Sequence, residues 1–167
     1  VWKGWVLIGS VGHAVLNGIC SVSVDQTVGE GPSGGDSSHN ERPADNQNKV
    51  AQAQGAAVAL RQRGAAKPIL LLEGFFGADE LPLFSQHRLS AVVHGVEQIA
   101  MLESAKIAAP IEVYLKLNTG MNRLGIAPEQ LPRALERLRD CPRVAGIVLM
   151  SHFADADGAG GIGGQLQ

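Results

Sequence analysis

Cysteine and aromatic side chains are scarce: the 167 residues include two cysteines and one tyrosine, and aromatics make up 4% of the chain. Cys20 and Cys141 lie far apart and match no metal-ligand or redox spacing, so neither a disulfide framework nor a metal cluster is indicated. They read as two reduced structural thiols. No window reaches the ~18 uninterrupted apolar residues of a membrane helix. The apolar start, Val1 to Ile8, is interrupted by Gly9, Ser10, Gly12 and His13 and shows no clear small-residue cleavage site, which argues against a secretory leader. A basic surplus is also missing. With a formal net charge of -2 at pH 7, the composition speaks against nucleic-acid or anionic-membrane partners. The expected setting is the cytoplasm, with no membrane association.

The length allows one domain with a substantial core. It falls short of a complete (β/α)8 barrel, which takes roughly 200 residues or more. Composition changes near residue 50. Residues 25–49 hold one aliphatic side chain larger than alanine, Val28, too little apolar surface to offset the entropy of ordering. Residues 1–50 are therefore expected to be irregular, from a frameshift, a misjoined leader or a foreign extension, although Cys20 to Val24 alternates as a short strand would.

Beyond residue 50 the pattern is regular. Residues 53–63 suit a helix closed by Gly64. Ile69 to Leu72, Leu89 to Val93, Ile111 to Leu117 and Val144 to Met150 read as strands, the first apolar throughout and the second apolar but for Ser90, as in a buried parallel sheet. Residues 96–106 and 129–140 have helical spacing, with Pro132 tolerable only in a first turn. Strand and helix alternate over about a hundred residues, which predicts a parallel α/β sheet with right-handed crossovers. Periodicity leaves open whether that sheet is flat or curls into a barrel.

In such folds binding groups gather at the carboxyl ends of strands. The third strand ends in Lys116-Leu117-Asn118-Thr119-Gly120-Met121-Asn122-Arg123-Leu124-Gly125 and the fourth in Ser151-His152-Phe153-Ala154-Asp155-Ala156-Asp157. With Lys67-Pro68-Ile69-Leu70-Leu71-Leu72-Glu73-Gly74-Phe75-Phe76 ahead of them, these segments closely resemble bacterial alanine racemase over about residues 56–163. The resemblance implies a fold: residues 51–167 as part of a (β/α)8 TIM-type barrel, about four strand–helix units. It also implies a cofactor, pyridoxal 5'-phosphate (PLP), and an activity, interconversion of L- and D-alanine for peptidoglycan. Intact relatives pair head to tail as homodimers.

By the same resemblance Arg123 contacts the cofactor's phenolic oxygen and the substrate carboxylate. A planar, permanently charged guanidinium suits both. Lys116 matches a lysine often carried as an N-carbamate, whose negative charge orients that arginine. His152 matches a histidine beside the cofactor ring, and Met121 a position near the pocket that serves packing equally well.

Two groups that the reaction needs are not recognisable. A PLP racemase forms a Schiff base through a lysine and uses two bases on opposite faces of the substrate carbon. In the family that lysine lies in an early V-V-K-x-N-A-Y-G-H-G segment, which is not found here; the five lysines are Lys3, Lys49, Lys67, Lys106 and Lys116. The other base is a tyrosine of the partner's β-domain, whereas Tyr114 falls inside a strand. The expectation is an incomplete, inactive copy of the enzyme, with no catalytic base identified. A PLP-binding protein without catalysis, or a fragment that pairs with an intact racemase, are the alternatives. Gly158 to Gly163 satisfies G-x-G-x-x-G and Gly31 to Gly35 satisfies G-x-S-x-G, but neither has the strand–turn–helix setting that gives those patterns meaning.

Overall fold

The computed structural model describes residues 15–16, 19–22, 43–119 and 123–151. Its elements in chain order are β1 (Val15–Leu16), β2 (Ile19–Val22), α1 (Pro43–Gln62), β3 (Ile69–Leu71), α2 (Leu81–His87), β4 (Leu89–Val93), α3 (Val96–Ser104), β5 (Ile111–Lys116), α4 (Leu131–Asp140) and β6 (Val144–Met150). The sheet order equals the chain order, β1 to β6. β1 and β2 are antiparallel, and every later neighbour is parallel.

That order decides the question periodicity left open. A doubly wound sheet reverses its strand order at a switch point and carries helices on both faces. Here the order never reverses, and side-chain alternation separates two unequal cores. Ile69, Leu71, Leu89, Ala91, Val93, Ile111, Val113 and Leu115 face the helices and pack with Ala53, Ala57, Phe84, Ile99, Leu102, Ala134 and Leu138. The opposite face carries the smaller cluster of Leu70, Val92, Tyr114 and Met150, flanked by Leu72 and Val148. Helices outside and a narrow layer of side chains inside make the sheet an arc of a (β/α)8 barrel.

Two expectations change. Residues 43–49, placed in an irregular segment, belong to α1, which runs through Val50 without a break. Pro43 opens it, where a missing N–H costs nothing; the polar first turns hide the helix from any periodicity test, and from Val50 onward Val50, Ala53, Gln54 and Ala57 are buried. The second is α2, unmarked in the sequence because Pro82 interrupts a seven-residue stretch. It is anchored by Phe84, wholly buried and edge-on to Phe75 with ring centroids 6.0 Å apart. Arg61 near the end of α1 ties the helix to the amino end of the arc. It donates to the carbonyls of Ala65, of Lys67 at 2.9 Å, of His87 at 2.9 Å and of Arg88 at 2.9 Å.

Candidate active site

The carboxyl ends of β3, β4 and β5 meet at one mouth of the arc. The turn after β3 is built on Gly74, whose φ is +71°; a Cβ there would sit 2.2 Å from the Val92 carbonyl oxygen. Glu80 closes that turn by accepting the N–H groups of Phe76 at 3.0 Å and Gly77 at 2.8 Å. Gln98, buried on α3, holds the turn after β4. Its Oε1 accepts the N–H of His94 at 2.8 Å and of Gly95 at 3.2 Å, while its Nε2 donates to the Phe75 carbonyl at 2.8 Å.

The loop after β5 doubles back on its own strand. Asn118 N–H donates to the Ile126 carbonyl at 2.9 Å and Ile126 N–H to the Lys116 carbonyl at 2.7 Å. This closure needs Gly125, at φ +138°, since a Cβ would lie 2.5 Å from the Asn118 nitrogen. The closed loop places Arg123 just past the strand end, exposed. Thr119 and Ser151 share a hydrogen bond between their hydroxyls, joining this loop to the end of β6. Among the described residues Asn118 Oδ1 is buried without a hydrogen-bond partner, a position that native proteins rarely leave unfilled.

Inner-face alternation carries Tyr114 and Lys116 to the concave side. Burial, then the charge of Arg123, hold the half-buried Lys116 ammonium below the ordinary lysine range. His94 is also held low, first by burial and then by Lys116, against a hydrogen bond to the Glu73 carbonyl and the charge of Glu97. Burial, with Glu112 beside it, pushes the Tyr114 hydroxyl up to about 12. Two cations of one sign sit together at the mouth, and Arg123 makes no ion pair among the described residues. Such a pair calls for an anion.

The profile of the alanine racemase N-terminal domain matches residues 43–167. The chain belongs to the alanine racemase N-terminal domain family. The alanine racemase of Nitrosospira multiformis is 57% identical over 102 residues, covering 61% of this chain and 29% of that protein. That of Burkholderia mallei strain SAVP1 is 49% identical over 110 residues, 66% of this chain and 31% of the relative. Among solved structures, the biosynthetic alanine racemase of Pseudomonas aeruginosa superposes with a TM-score of 0.58 at 44% identity, over 62% of this chain and 29% of that one. The alanine racemase of E. faecalis gives 0.57 at 30% identity, over 64% and 29%. The chain thus spans about three tenths of the length of these relatives.

Within this alanine racemase domain, Lys116 and Arg123 come together at the mouth as neighbours. His152 and Met121 lie outside the described residues. The family is PLP-dependent, and the charge at the mouth fits an anionic cofactor, with Arg123 and Lys116 as the cations that would meet it. After β2, the sequence carries no lysine from Ser23 to Asn48. His94 and Gln98 escaped the sequence reading. The available signal was a polar Val-Val-His-Gly ending on an otherwise apolar run.

Proposed function

We propose that this chain carries the cation-bearing part of an alanine racemase site, and that the whole protein interconverts L- and D-alanine with PLP. The observation that supports it is the Lys116–Arg123 pair at the carboxyl end of the inner face. PLP, when bound, supplies an electron sink for the carbanion formed when the substrate loses its α-proton. Arg123 holds the substrate carboxylate through a directional fork. Lys116 serves it best as a carbamate. The neutral amine's lone pair forms an N–C bond to carbon dioxide, one C=O electron pair moves to oxygen, and an N–H proton leaves to water. The resulting anion faces the guanidinium instead of repelling it. By resemblance His152 stands beside the cofactor ring and supports the arginine that bonds the pyridine nitrogen.

Neither proton-transfer base is assigned to this chain. Tyr114 keeps its proton far above neutral pH and lies 3% exposed on the inner face. On this reading the isolated chain does not racemise alanine. With PLP and borohydride, mass spectrometry finds no single lysine labelled stoichiometrically. Supply of D-alanine to peptidoglycan, a cytoplasmic setting, head-to-tail pairing and a barrel portion that takes in the whole of α1 complete the proposal. Its test is a graft: residues 56–163 replace the matching segment of a complete alanine racemase. The chimera is expected to racemise alanine. A folded, PLP-loaded chimera without activity would refute the reading.

A further inference from the structure

We propose that His94 is a positioning residue for Lys116: its ring, locked between the Glu73 carbonyl and the Gln98 amide, walls the Lys116 amine from water and keeps it open to electrophiles. This rests on Lys116 being the functional lysine of the proposed site, and it adds a residue to which neither the motif nor the resemblance gives a role.

Register places the two side by side. Val92 pairs with Tyr114 and Val93 with Leu115, so one step further His94 stands next to Lys116 on the adjacent parallel strand, about 5 Å away between backbones. Val92 and Tyr114 face the concave side. Alternation sends Lys116 to that face and His94, immediately beyond β4, to the same side.

The ring is not free to turn. The Gln98 oxygen is committed to the N–H groups of His94 and Gly95. Its Nε2 therefore faces the ring, 3.5 Å from His94 Nε2, while also donating to Phe75. With Nε2 as the acceptor toward that amide, the ring proton sits on the other nitrogen and can serve the Glu73 carbonyl. A second ring proton would set donor against donor. The charged groups acting on the ring are Lys116 on β5 and Glu97 on α3, with Arg123 beyond Lys116, while Glu73 after β3 meets it through its backbone carbonyl. The wall is thus uncharged, adding burial to Lys116 without a third cation. Burial is the larger cause of the lysine's altered state, and only the uncharged amine attacks carbon.

The test uses the full chain without PLP. Lysine labelled with 13C at Cε gives few signals, since the sequence has five lysines, and Lys116→Arg assigns the one needed. In His94→Ala the Lys116 titration moves up toward an ordinary lysine, and its acylation at pH 8 slows severalfold relative to the exposed Lys106. His94→Phe, which keeps the bulk, leaves both near wild type. An unchanged Lys116 titration in folded His94→Ala overturns the proposal. Should His94→Ala fail to fold, Lys116→Met gives the reciprocal reading. Its His94 titration rises once the neighbouring cation is gone, and an unmoved His94 overturns the proposal. Carbonate labelled with 13C tests carbamate formation separately. A missing carbamate signal with the titration shifts intact would refute the carbamate and leave His94 as the wall of the amine.

Discussion

Replacing Gly125 with alanine probes the loop that carries Arg123. At φ +138° any side chain is strained, and the new Cβ would meet backbone at 2.5 Å from Asn118 N and 2.6 Å from the Leu117 carbonyl carbon. Neither neighbour is the yielding end of a flexible side chain. Backbone strain at such a position costs about 1–3 kcal/mol, and forcing a methyl into closed space costs about 1–3 kcal/mol more. The least expected penalty, about 2 kcal/mol, corresponds to roughly a thirtyfold change in a local opening equilibrium. Amide exchange reads it directly. The N–H groups of Asn118 and Ile126, which close the loop, should exchange at least about thirtyfold faster in Gly125→Ala. The amide of Val113, within β5, should change far less. Unaltered exchange at Asn118 and Ile126 would refute the reasoning, because the loop would then tolerate a Cβ where the backbone leaves it no room.

Three further outcomes follow from packing and charge. Phe84→Ala removes a wholly buried ring and its edge-on contact with Phe75, so urea unfolding should show a loss of about 3–5 kcal/mol. Arg61→Met, which keeps much of the stem but drops four carbonyl contacts, should cost about 1.5–3 kcal/mol in the same assay. Arg137 holds the Glu103 carboxyl below its ordinary range, chiefly through its hydrogen bonds at 2.8 Å. A carboxylate depressed in the folded state contributes above its unfolded pKa, about 4.3. That contribution fades as pH falls through the lower folded value. Since the pair is solvent-exposed, Arg137→Met should lose under about 1 kcal/mol at pH 7 and nothing below the acid transition.

Strands were legible where the apolar run is local and continuous. Leu89–Val93 and Val144–Met150 stand at the expected bounds, and Ile69–Leu71 and Ile111–Lys116 each stop one residue early. Helices were legible only where one face is apolar. The first two turns of α1 present no such face, and α2 hides behind Pro82. The curl of the sheet was invisible to periodicity because it depends on which strands are neighbours, a property no single segment contains. The site divides along the same line. Lys116 and Arg123 stand in one contiguous motif and could be named from it. His94 acquires meaning from the strand beside it and Gln98 from the turn it clamps, so only the assembled arc brings them to Lys116.

The central claim is that Arg123 holds the substrate in an alanine racemase site, and the grafted chimera tests it most directly. Steady-state racemisation is measured for the parent chimera, for Arg123→Ala and for Arg143→Ala. Arg143 lies at the opposite, amino end of β6, where its Nε donates to the Ala105 carbonyl at 3.1 Å. Loss of a directional charge-assisted contact in the transition state is worth about 2–4 kcal/mol, or roughly 30- to 1000-fold in kcat/KM. The account predicts that loss for Arg123→Ala, little rescue by Arg123→Lys because a point charge lacks the fork, and a near-parental rate for Arg143→Ala. An active chimera in which Arg123→Ala is as harmless as Arg143→Ala would contradict it.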